Sequence, residues 1–369
     1  CTATTFTEGT HTPGAAATFG SILIILGTSV GAGMLALPMS SAELSFTAAL
    51  IILIIAWLVM TATGLLMLEI NITLPQHRNH FDSMAGMTLG VAGRMVAWIS
   101  SACLFYSLIA AYISGNAALF LRALALIGIH LPAYSSAILF TLVIAGIVFF
   151  STRGVDLLNR GLMSFKGLAL IIAFIGLMPH VDITHLHLAT TNFKSFATLC
   201  AAAPIFLVGF GYHAVLPSLV NYLGPNINRL RKIVWCGTTL AFVIYVIWLT
   251  ISFGVLPESG ALSLHILHAN GDKVANFLSD IESMVPINWV RWSVNAFSDV
   301  AMATSCLGVS LGMFDFLADA LKRKNNSAGR AQSLAITLLP PLVVAIALPN
   351  FFVLKLARFF SLSKTYSSF

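Results

Sequence analysis

The sequence predicts an all-α integral membrane protein. Of its 369 residues, 58% are hydrophobic and only 9% are charged, and the mean hydropathy is +0.92. Soluble domains do not reach these values, because they need a charged surface toward water. The 13 acidic and 19 basic residues fall almost entirely between long apolar runs. They therefore mark the loops between membrane-spanning helices.

Nine apolar stretches are long enough to cross a bilayer as helices when hydropathy is averaged over windows of about nineteen residues. They cover residues 17–39, 46–70, 95–121, 134–151, 161–179, 195–223, 233–256, 289–320 and 333–349. Together they define a transmembrane domain over 17–350, preceded by a predicted disordered tail over 1–16. The longest outer loop, 257–288, has Gly and Pro around short apolar stretches and is expected to form one or two surface helices.

The segment 351–369 is not expected to span. Each of its cations, Lys355, Arg358 and Lys364, would cost about 2.5 to 3.5 kcal/mol at the centre of a membrane helix. The segment is therefore expected to be an aberrant or interfacial amphipathic tail.

The distribution of charge predicts a cytoplasmic N-terminus. With that orientation the inner segments hold twelve of the nineteen lysines and arginines, Lys166 among them, whereas the outer loops hold four. The net charge of +6 is scattered over short loops, so no nucleic-acid partner is predicted. The five cysteines lack metal-ligand spacing, and the outer His180, His185 and His187 have only Asp182 as a nearby carboxylate. We therefore predict no metal site, and we expect no cofactor.

The first span is a weak helix in its middle. Three glycines within seven residues, Gly27, Gly31 and Gly33, remove roughly 3 kcal/mol of local helix preference. The sixth span has a similar interruption, with Gly209 and Gly211 between Pro204 and Pro217.

Two interrupted spans about 180 residues apart are the strongest sequence indication of a binding site at the membrane midplane of a transporter. Unwinding frees N–H groups that can hold a carboxylate and carbonyls that can hold an ammonium group or a cation. Both kinds of group together suit a zwitterion. The alternative is that the small residues from Gly27 to Gly31 form a packing face for another helix.

Four motifs resemble the hydroxy and aromatic amino acid permeases, the bacterial tyrosine and tryptophan permease group of the amino acid, polyamine and organocation superfamily. They are GTSVGAGMLALPM at 27–39, AAYISG at 110–115, GFGYHAVLPSLVNY at 209–222 and LGVSLGMFDFLAD at 307–319. The resemblance covers residues 17 to about 350, and the sequence resembles tyrosine permeases in particular.

This resemblance implies a leucine-transporter-type inverted repeat with helices 1 and 6 interrupted, the first repeat over 17–180 and the second over 195–350. It also implies proton-coupled symport of an aromatic amino acid, tyrosine first, across a bacterial inner membrane. The family has eleven spans and this sequence supplies nine, so an incomplete second repeat and a truncated or frame-shifted reading frame are expected. An inactive remnant of such a permease, or a sodium-coupled neutral amino acid carrier, is the alternative.

By this resemblance, main-chain groups at the two breaks hold the substrate. They belong to Gly27, Thr28, Ser29, Val30, Gly31, Ala32 and Gly33 in the first span and to Val208, Gly209, Phe210 and Gly211 in the sixth. From the residues alone, Tyr106 and Tyr112 could present a polar tip from an apolar wall, or could pack between helices. His213 could contact substrate or relay a proton, or could bond to a freed carbonyl.

Asp299 is the main candidate for proton coupling or substrate contact, with a structural hydrogen-bonded role as the alternative. It lies well inside the eighth span, and an intramembrane carboxylate is expensive and usually functional. Glu69, near the inner end of the second span, is a second candidate. Thr304 and Ser305 could complete a sodium site against the first break, or could bond back to their own helix.

Two other classes of function fit less well. A membrane-embedded enzyme would need clustered ligands or a nucleophile with a base, and the spans contain no such cluster, so no enzyme activity is predicted. A channel would need a continuous polar stripe through several spans, which the sequence lacks. We expect a monomer in the bilayer whose partners are the amino acid and the coupling ion.

Overall fold

A computed structural model describes residues 15–73, 81–126, 128, 132–150, 152–186, 196–256, 274–320 and 327–347. Within these residues the chain forms helices and connecting turns, with no strand. The helices are α1 (Ala15–Ser29), α2 (Ala32–Ser40), α3 (Phe46–Thr73), α4 (Phe81–Leu126), α5 (Ala133–Phe150), α6 (Thr152–Leu177), α7 (Phe196–Gly209), α8 (Leu216–Leu223), α9 (Ile227–Val255), α10 (Val274–Met284), α11 (Asn288–Ala320) and α12 (Ser327–Ala347).

The apolar runs form helices because lipid offers the backbone no hydrogen-bond partners, and a helix satisfies its own groups internally. By length and composition, seven described segments can cross a membrane, or eight if the bent pair α1 and α2 is one span. A shorter apolar helix covers Tyr134–Phe149. Each of the nine predicted stretches therefore contains a helix. The predicted segments 1–16 and 351–369 lie outside the described residues, apart from the start of α1.

Several helices begin earlier than the hydropathy pattern predicts, α4 and α6 by the most residues. The third stretch was expected from residue 95, but α4 begins at Phe81 and contains a kink at Gly90, whose φ of 71° and ψ of −164° are not helical. This left-handed φ is open to glycine, which has no Cβ to clash with the backbone. The fifth stretch was expected from residue 161, but α6 begins at Thr152.

The interior is built around two long helices. α9 packs against α1 and α3, and α11 packs against α4 and α6. Close approach of α9 to α1 depends on Gly237, where an added Cβ would lie 2.7 Å from Ile25 Cγ2. Large apolar side chains such as Leu89 and Val91 stay exposed on the outside, as expected where the surface faces lipid rather than water.

One of the helices expected in the loop 257–288 is present. Phe277, Leu278 and Ile281 of α10 are fully buried, and α10 contacts α2, α4, α9 and α11.

The turn after α6 lies near the end of α9, where the Asp182 N–H donates to Gly254 O at 3.0 Å. Thr184 donates two hydrogen bonds to Asp182 Oδ1, from its hydroxyl and from its N–H. They hold the pKa of Asp182 below its usual range, with the larger contribution from the hydroxyl.

Candidate functional site

The first span is divided into α1 and α2, whose axes differ by 46°. Gly31 precedes α2 in an extended conformation, so the helical hydrogen-bond ladder stops between the two segments. The N–H groups of Gly31 and Gly33 have no hydrogen bond to any residue in the described ranges. The carbonyls of Gly27, Ser29 and Val30 accept hydrogen bonds from side chains of other helices instead.

Lys166 of α6 holds two of these carbonyls. Its Nζ donates to Gly27 O at 3.1 Å and to Val30 O at 2.7 Å, and the residue is only 3% exposed. A buried charge is costly unless it is paired or hydrogen-bonded, and the partial charges of two carbonyls supply that stabilisation here. Lys166, which was predicted among the inner-side cations, therefore points into the protein at the first break.

Ser305 of α11 reaches the same break from another side. Its Oγ accepts a hydrogen bond from Ala32 N–H at 3.1 Å, which satisfies one free donor at the start of α2. Gly31 is needed for this approach, because a Cβ there would lie 2.5 Å from Ser305 Oγ. The neighbouring Thr304 hydroxyl instead donates to its own helix, to Val300 O at 2.7 Å.

The sixth predicted span is divided as well. α7 ends at Gly209, a short 3-10 turn covers His213–Val215, and α8 begins at Leu216. The chain is tightened locally, since Phe210 N–H donates to Leu207 O and Gly211 N–H donates to Val208 O, each at 3.0 Å. These bonds span three residues and end the α-helical ladder.

The two breaks lie against each other. A Cβ added to Gly33 would be 3.2 Å from Gly209 Cα and 3.6 Å from Gly209 N, so glycine permits direct backbone contact. The alternative predicted from the sequence was a packing face from Gly27 to Gly31, and these two glycines lie against Met163 and Ser305. The contact between the two interrupted helices lies further along, at Gly33.

Tyr245 of α9 joins the two breaks. Its hydroxyl lies 2.6 Å from both Ser29 O and Gly209 O, and the residue is fully buried. A tyrosine hydroxyl has one proton to donate, so it cannot direct a full hydrogen bond to both carbonyls at once. Nothing in the apolar pattern of the seventh span distinguished Tyr245, because its partners are separated from it by 36 and 216 residues.

Tyr112 of α4 faces the same region. It is 7% exposed, and its hydroxyl makes no hydrogen bond to a described residue. Its side chain lies in the same part of the interior as Cys306 and Tyr245. Asn116 Nδ2 donates to the carbonyl of Tyr112 at 2.8 Å and so stays within α4. Of the two tyrosines named from the sequence, Tyr112 is the one the structure brings near the breaks.

Tyr106 and His213 are engaged elsewhere. The Tyr106 hydroxyl donates to Ile336 O of α12 at 2.9 Å. His213 Nε2 lies 3.0 Å from Thr63 Oγ1 of α3, and its ring stacks on Tyr212 at 4.7 Å between centroids. Tyr106 thus links α4 to α12, and His213 links the turn before α8 to α3.

The two carboxylates named for proton coupling are not buried. Asp299 is exposed in α11, although Met302 and Cys306 on the same helical face are fully buried. Glu69 forms an ion pair with Arg231, and both side chains are 47% exposed. The expectation of a buried carboxylate in the eighth span is thus not met, and Lys166 is the buried charged group beside the first break.

The arrangement offers complementary polar groups within an apolar surround. Two N–H groups at the start of α2 suit an anionic group, because a helix N-terminus carries partial positive charge. Two carbonyls, one from each break, suit a cationic group. Phe206 and Phe210 are fully buried, and the Phe210 ring packs edge-on against Tyr245 at 5.0 Å between centroids.

Comparison with known proteins finds one permease family and several transport proteins that are similar to this chain. The profile of the tryptophan/tyrosine permease family matches residues 15–358. Tyrosine-specific transport system 2 of Haemophilus influenzae is 34% identical over 345 residues, which cover 92% of this chain and 82% of that protein. The tryptophan-specific transport protein of the same organism is 32% identical over 345 residues, covering 91% and 82%. The low affinity tryptophan permease of Escherichia coli K12 is 30% identical over 339 residues, covering 91% and 81%.

A solved structure is also similar. It is that of Mhp1, a nucleobase-cation-symport-1 family transporter, in a closed conformation with bromovinylhydantoin bound. The TM-score is 0.60 at 15% identity, over 91% of this chain and 74% of that chain. Similarity at this level of identity concerns the fold alone, which is that of a transporter.

Proposed function

This chain belongs to the tryptophan/tyrosine permease family, and we propose that it carries an aromatic amino acid, with tyrosine as the first candidate, across a bacterial inner membrane. It is a multi-pass transport protein rather than an enzyme. The observation that carries the proposal is the contact between the two interrupted helices at Gly33 and Gly209, beside which the Tyr245 hydroxyl lies 2.6 Å from a carbonyl of each break, Ser29 O and Gly209 O. The N-terminus is proposed to be cytoplasmic.

The proposed architecture is a leucine-transporter-type inverted repeat, with repeats over 17–180 and 195–350. Each repeat would begin with an interrupted span, α1 with α2 in the first and α7 with α8 in the second. Broken helices of this kind place free backbone groups where a substrate crosses the membrane, and rocking of one part against another then alternates access.

The substrate carboxylate is proposed to bind the N–H groups of Gly31 and Gly33. The ammonium group would bind Ser29 O and Gly209 O, which lie together around the Tyr245 hydroxyl. The Tyr112 hydroxyl, on a residue that is 7% exposed, makes no hydrogen bond to a described residue and is available to a polar substrate group. A site of this composition recognises a zwitterion by main-chain groups and its aromatic ring by apolar contacts.

Coupling to protons is favoured over coupling to sodium by Lys166. A sodium ion at the first break would need oxygen ligands such as Gly27 O and Val30 O, and the Lys166 ammonium already takes both. A proton gained or lost at Nζ would change the charge beside the substrate site. Asp299, although exposed, stays a candidate for delivering that proton. The sodium alternative rests on Ser305, because the Thr304 hydroxyl donates to its own helix.

Coupling would allow the substrate to be concentrated. One net charge moving with the zwitterion through 100 mV supplies about 2.3 kcal/mol, enough for roughly fifty-fold accumulation. A carrier without coupling would only equilibrate its substrate.

Uptake by purified protein in liposomes tests the proposal. Aromatic and other neutral amino acids are supplied one at a time, with a pH gradient and a sodium gradient imposed separately. We expect aromatic amino acids to accumulate with the pH gradient alone. Accumulation driven only by sodium would contradict the proposed coupling, and absence of uptake of any aromatic amino acid would contradict the proposed substrate class.

Asp299→Asn tests the candidate for proton delivery. We expect it to abolish pH-driven uptake while exchange of internal for external substrate stays measurable, because exchange needs no net proton movement. Unchanged concentrative uptake in this variant would remove Asp299 from the mechanism.

A further inference from the structure

We propose that the Tyr245 hydroxyl stands in for the substrate ammonium group during the part of the transport cycle in which no substrate is bound. This inference rests on the proposed function, since it assigns a role to Tyr245 within the same site. Tyr245 is a positioning residue here, because it acts on the two carbonyls that the ammonium group would bind.

The geometry supports this role through two equal contacts to two different broken helices. Ser29 O comes from the end of α1 and Gly209 O from the end of α7, and each lies 2.6 Å from the same phenolic oxygen. Carbonyls at these positions have lost their helical partners, and a buried carbonyl without a partner is unfavourable. A single hydroxyl is therefore the shared partner for both freed carbonyls.

The hydroxyl is an imperfect partner, whereas an ammonium group is a better one. A phenol has one proton to donate, so one of the two carbonyls always lacks a full hydrogen bond. A primary ammonium group has three protons and a positive charge, and charge-assisted hydrogen bonds are stronger than neutral ones. Substrate binding would therefore displace the hydroxyl from these carbonyls and be favoured by the exchange of partners.

The ring of Tyr245 is held independently of its hydroxyl. Phe210 packs against it edge-on at 5.0 Å between ring centroids, and Tyr245 is fully buried. A phenylalanine at this position would occupy the same space and lack only the donor. The substitution Tyr245→Phe thus isolates the hydrogen bond from the packing.

The role predicts different effects on two modes of transport. Net uptake requires the carrier to return to its outward-open state without substrate, whereas exchange of labelled for unlabelled substrate does not. Without the hydroxyl, both carbonyls lose their partner during the unloaded return step. During exchange the substrate ammonium satisfies them throughout.

The experiment compares Tyr245→Phe with the native protein in liposomes, measuring net uptake and exchange of the same labelled aromatic amino acid. We expect net uptake to fall about tenfold and exchange to fall by less than about threefold, given the usual cost of unpaired buried carbonyls. The matched control is Tyr212→Phe. Tyr212 is also fully buried and donates to one backbone carbonyl, Met60 O at 2.9 Å, on another helix. It should lower both modes by the same small factor.

Substrate affinity supplies a second readout that does not require turnover. In Tyr245→Phe the substrate ammonium group displaces no protein hydrogen bond, so this variant should bind substrate at least as tightly as the native protein. If the native protein gives up one net hydrogen bond on binding, the variant should bind about fivefold more tightly. An equal loss of net uptake and exchange, no loss of either, or weaker binding would overturn the proposal. If the native protein exchanges no aromatic amino acid, the proposed function fails instead.

Discussion

The two breaks meet at one place but are stabilised in different ways. At the first break, side chains from three other helices supply the partners, namely Lys166 from α6, Tyr245 from α9 and Ser305 from α11. At the second break, tight local hydrogen bonds at Phe210 and Gly211 satisfy most of the freed backbone, and the Tyr245 hydroxyl is a side-chain partner that it shares with the first.

This difference suggests a division of labour. A break held by distant side chains responds when one of them changes charge or position, because its backbone has no local alternative. A break held by its own turns is a fixed bend. We therefore expect coupling chemistry at the first break and a rigid wall at the second, and substitutions that alter the first should have the larger effects.

Among substitutions that distinguish the two breaks, the largest effect is expected from Lys166→Met. This change removes the ammonium group and leaves Gly27 O and Val30 O buried without a donor, which costs about 1 to 3 kcal/mol for each unpaired group. We expect concentrative uptake to fall by about a hundredfold or more. Lys232→Met, at an exposed lysine near the start of α9, is the control and should leave uptake within about twofold. Normal pH-driven accumulation by Lys166→Met would exclude Lys166 from coupling.

A strong effect is also expected from Gly31→Ala, because its Cβ would lie 2.5 Å from Ser305 Oγ. We expect uptake to fall about tenfold or more, as overpacking typically costs about 1 to 3 kcal/mol. The double variant Gly31→Ala with Ser305→Ala removes the clash and should recover part of the loss. A double variant as poor as the sum of the two single changes would mean that the two residues do not interact.

A smaller loss is expected where the two breaks touch. Gly33→Ala would place a Cβ 3.2 Å from Gly209 Cα, so the backbones would have to separate by a few tenths of an ångström. We expect uptake to fall by about threefold to tenfold, toward the lower end of the cost of overpacking. Gly20→Ala in α1 is the control, because the added Cβ would meet no atom within 4 Å beyond its chain neighbours and its own helix backbone. Equal uptake by the two variants would argue against a functional contact between the breaks.

The smallest effect is expected from Glu69→Gln. The pair with Arg231 is half exposed, and such surface ion pairs contribute about 0 to 1 kcal/mol. Uptake and its dependence on pH should therefore change by less than about twofold. A loss of pH-driven accumulation in this variant would return Glu69 to the coupling mechanism and weaken the assignment to Lys166.

The sequence predicted the apolar helices and the positions of both interruptions, because hydropathy and glycine content are local properties. It did not predict the partners. Lys166 stands near the polar start of its helix in sequence, and only the packing of α6 against the rest of the bundle turns it toward Gly27 and Val30. Tyr245 is one aromatic residue in a long apolar run. Its role depends on which face of α9 meets α1 and α7, which one sequence cannot specify.

Asp299 illustrates the opposite outcome. A carboxylate inside an apolar run was a sound indication of function, since such groups are rare in membranes. The local pattern gave no information on its burial, and the structure leaves it exposed while Lys166 is enclosed. Lys166, five residues into the predicted fifth span, carried the same kind of signal but was counted among the inner-side cations because of its position.

Binding of substrate analogues tests the convergence of the two breaks most directly. The affinity of the purified protein is measured for tyrosine, for tyramine, which lacks the carboxylate, and for 3-(4-hydroxyphenyl)propionate, which lacks the amine. Because charged hydrogen bonds contribute about 1.5 to 3 kcal/mol each, both analogues should bind at least about tenfold more weakly than tyrosine. An analogue lacking either group that binds as tightly as tyrosine would contradict a site formed by both breaks.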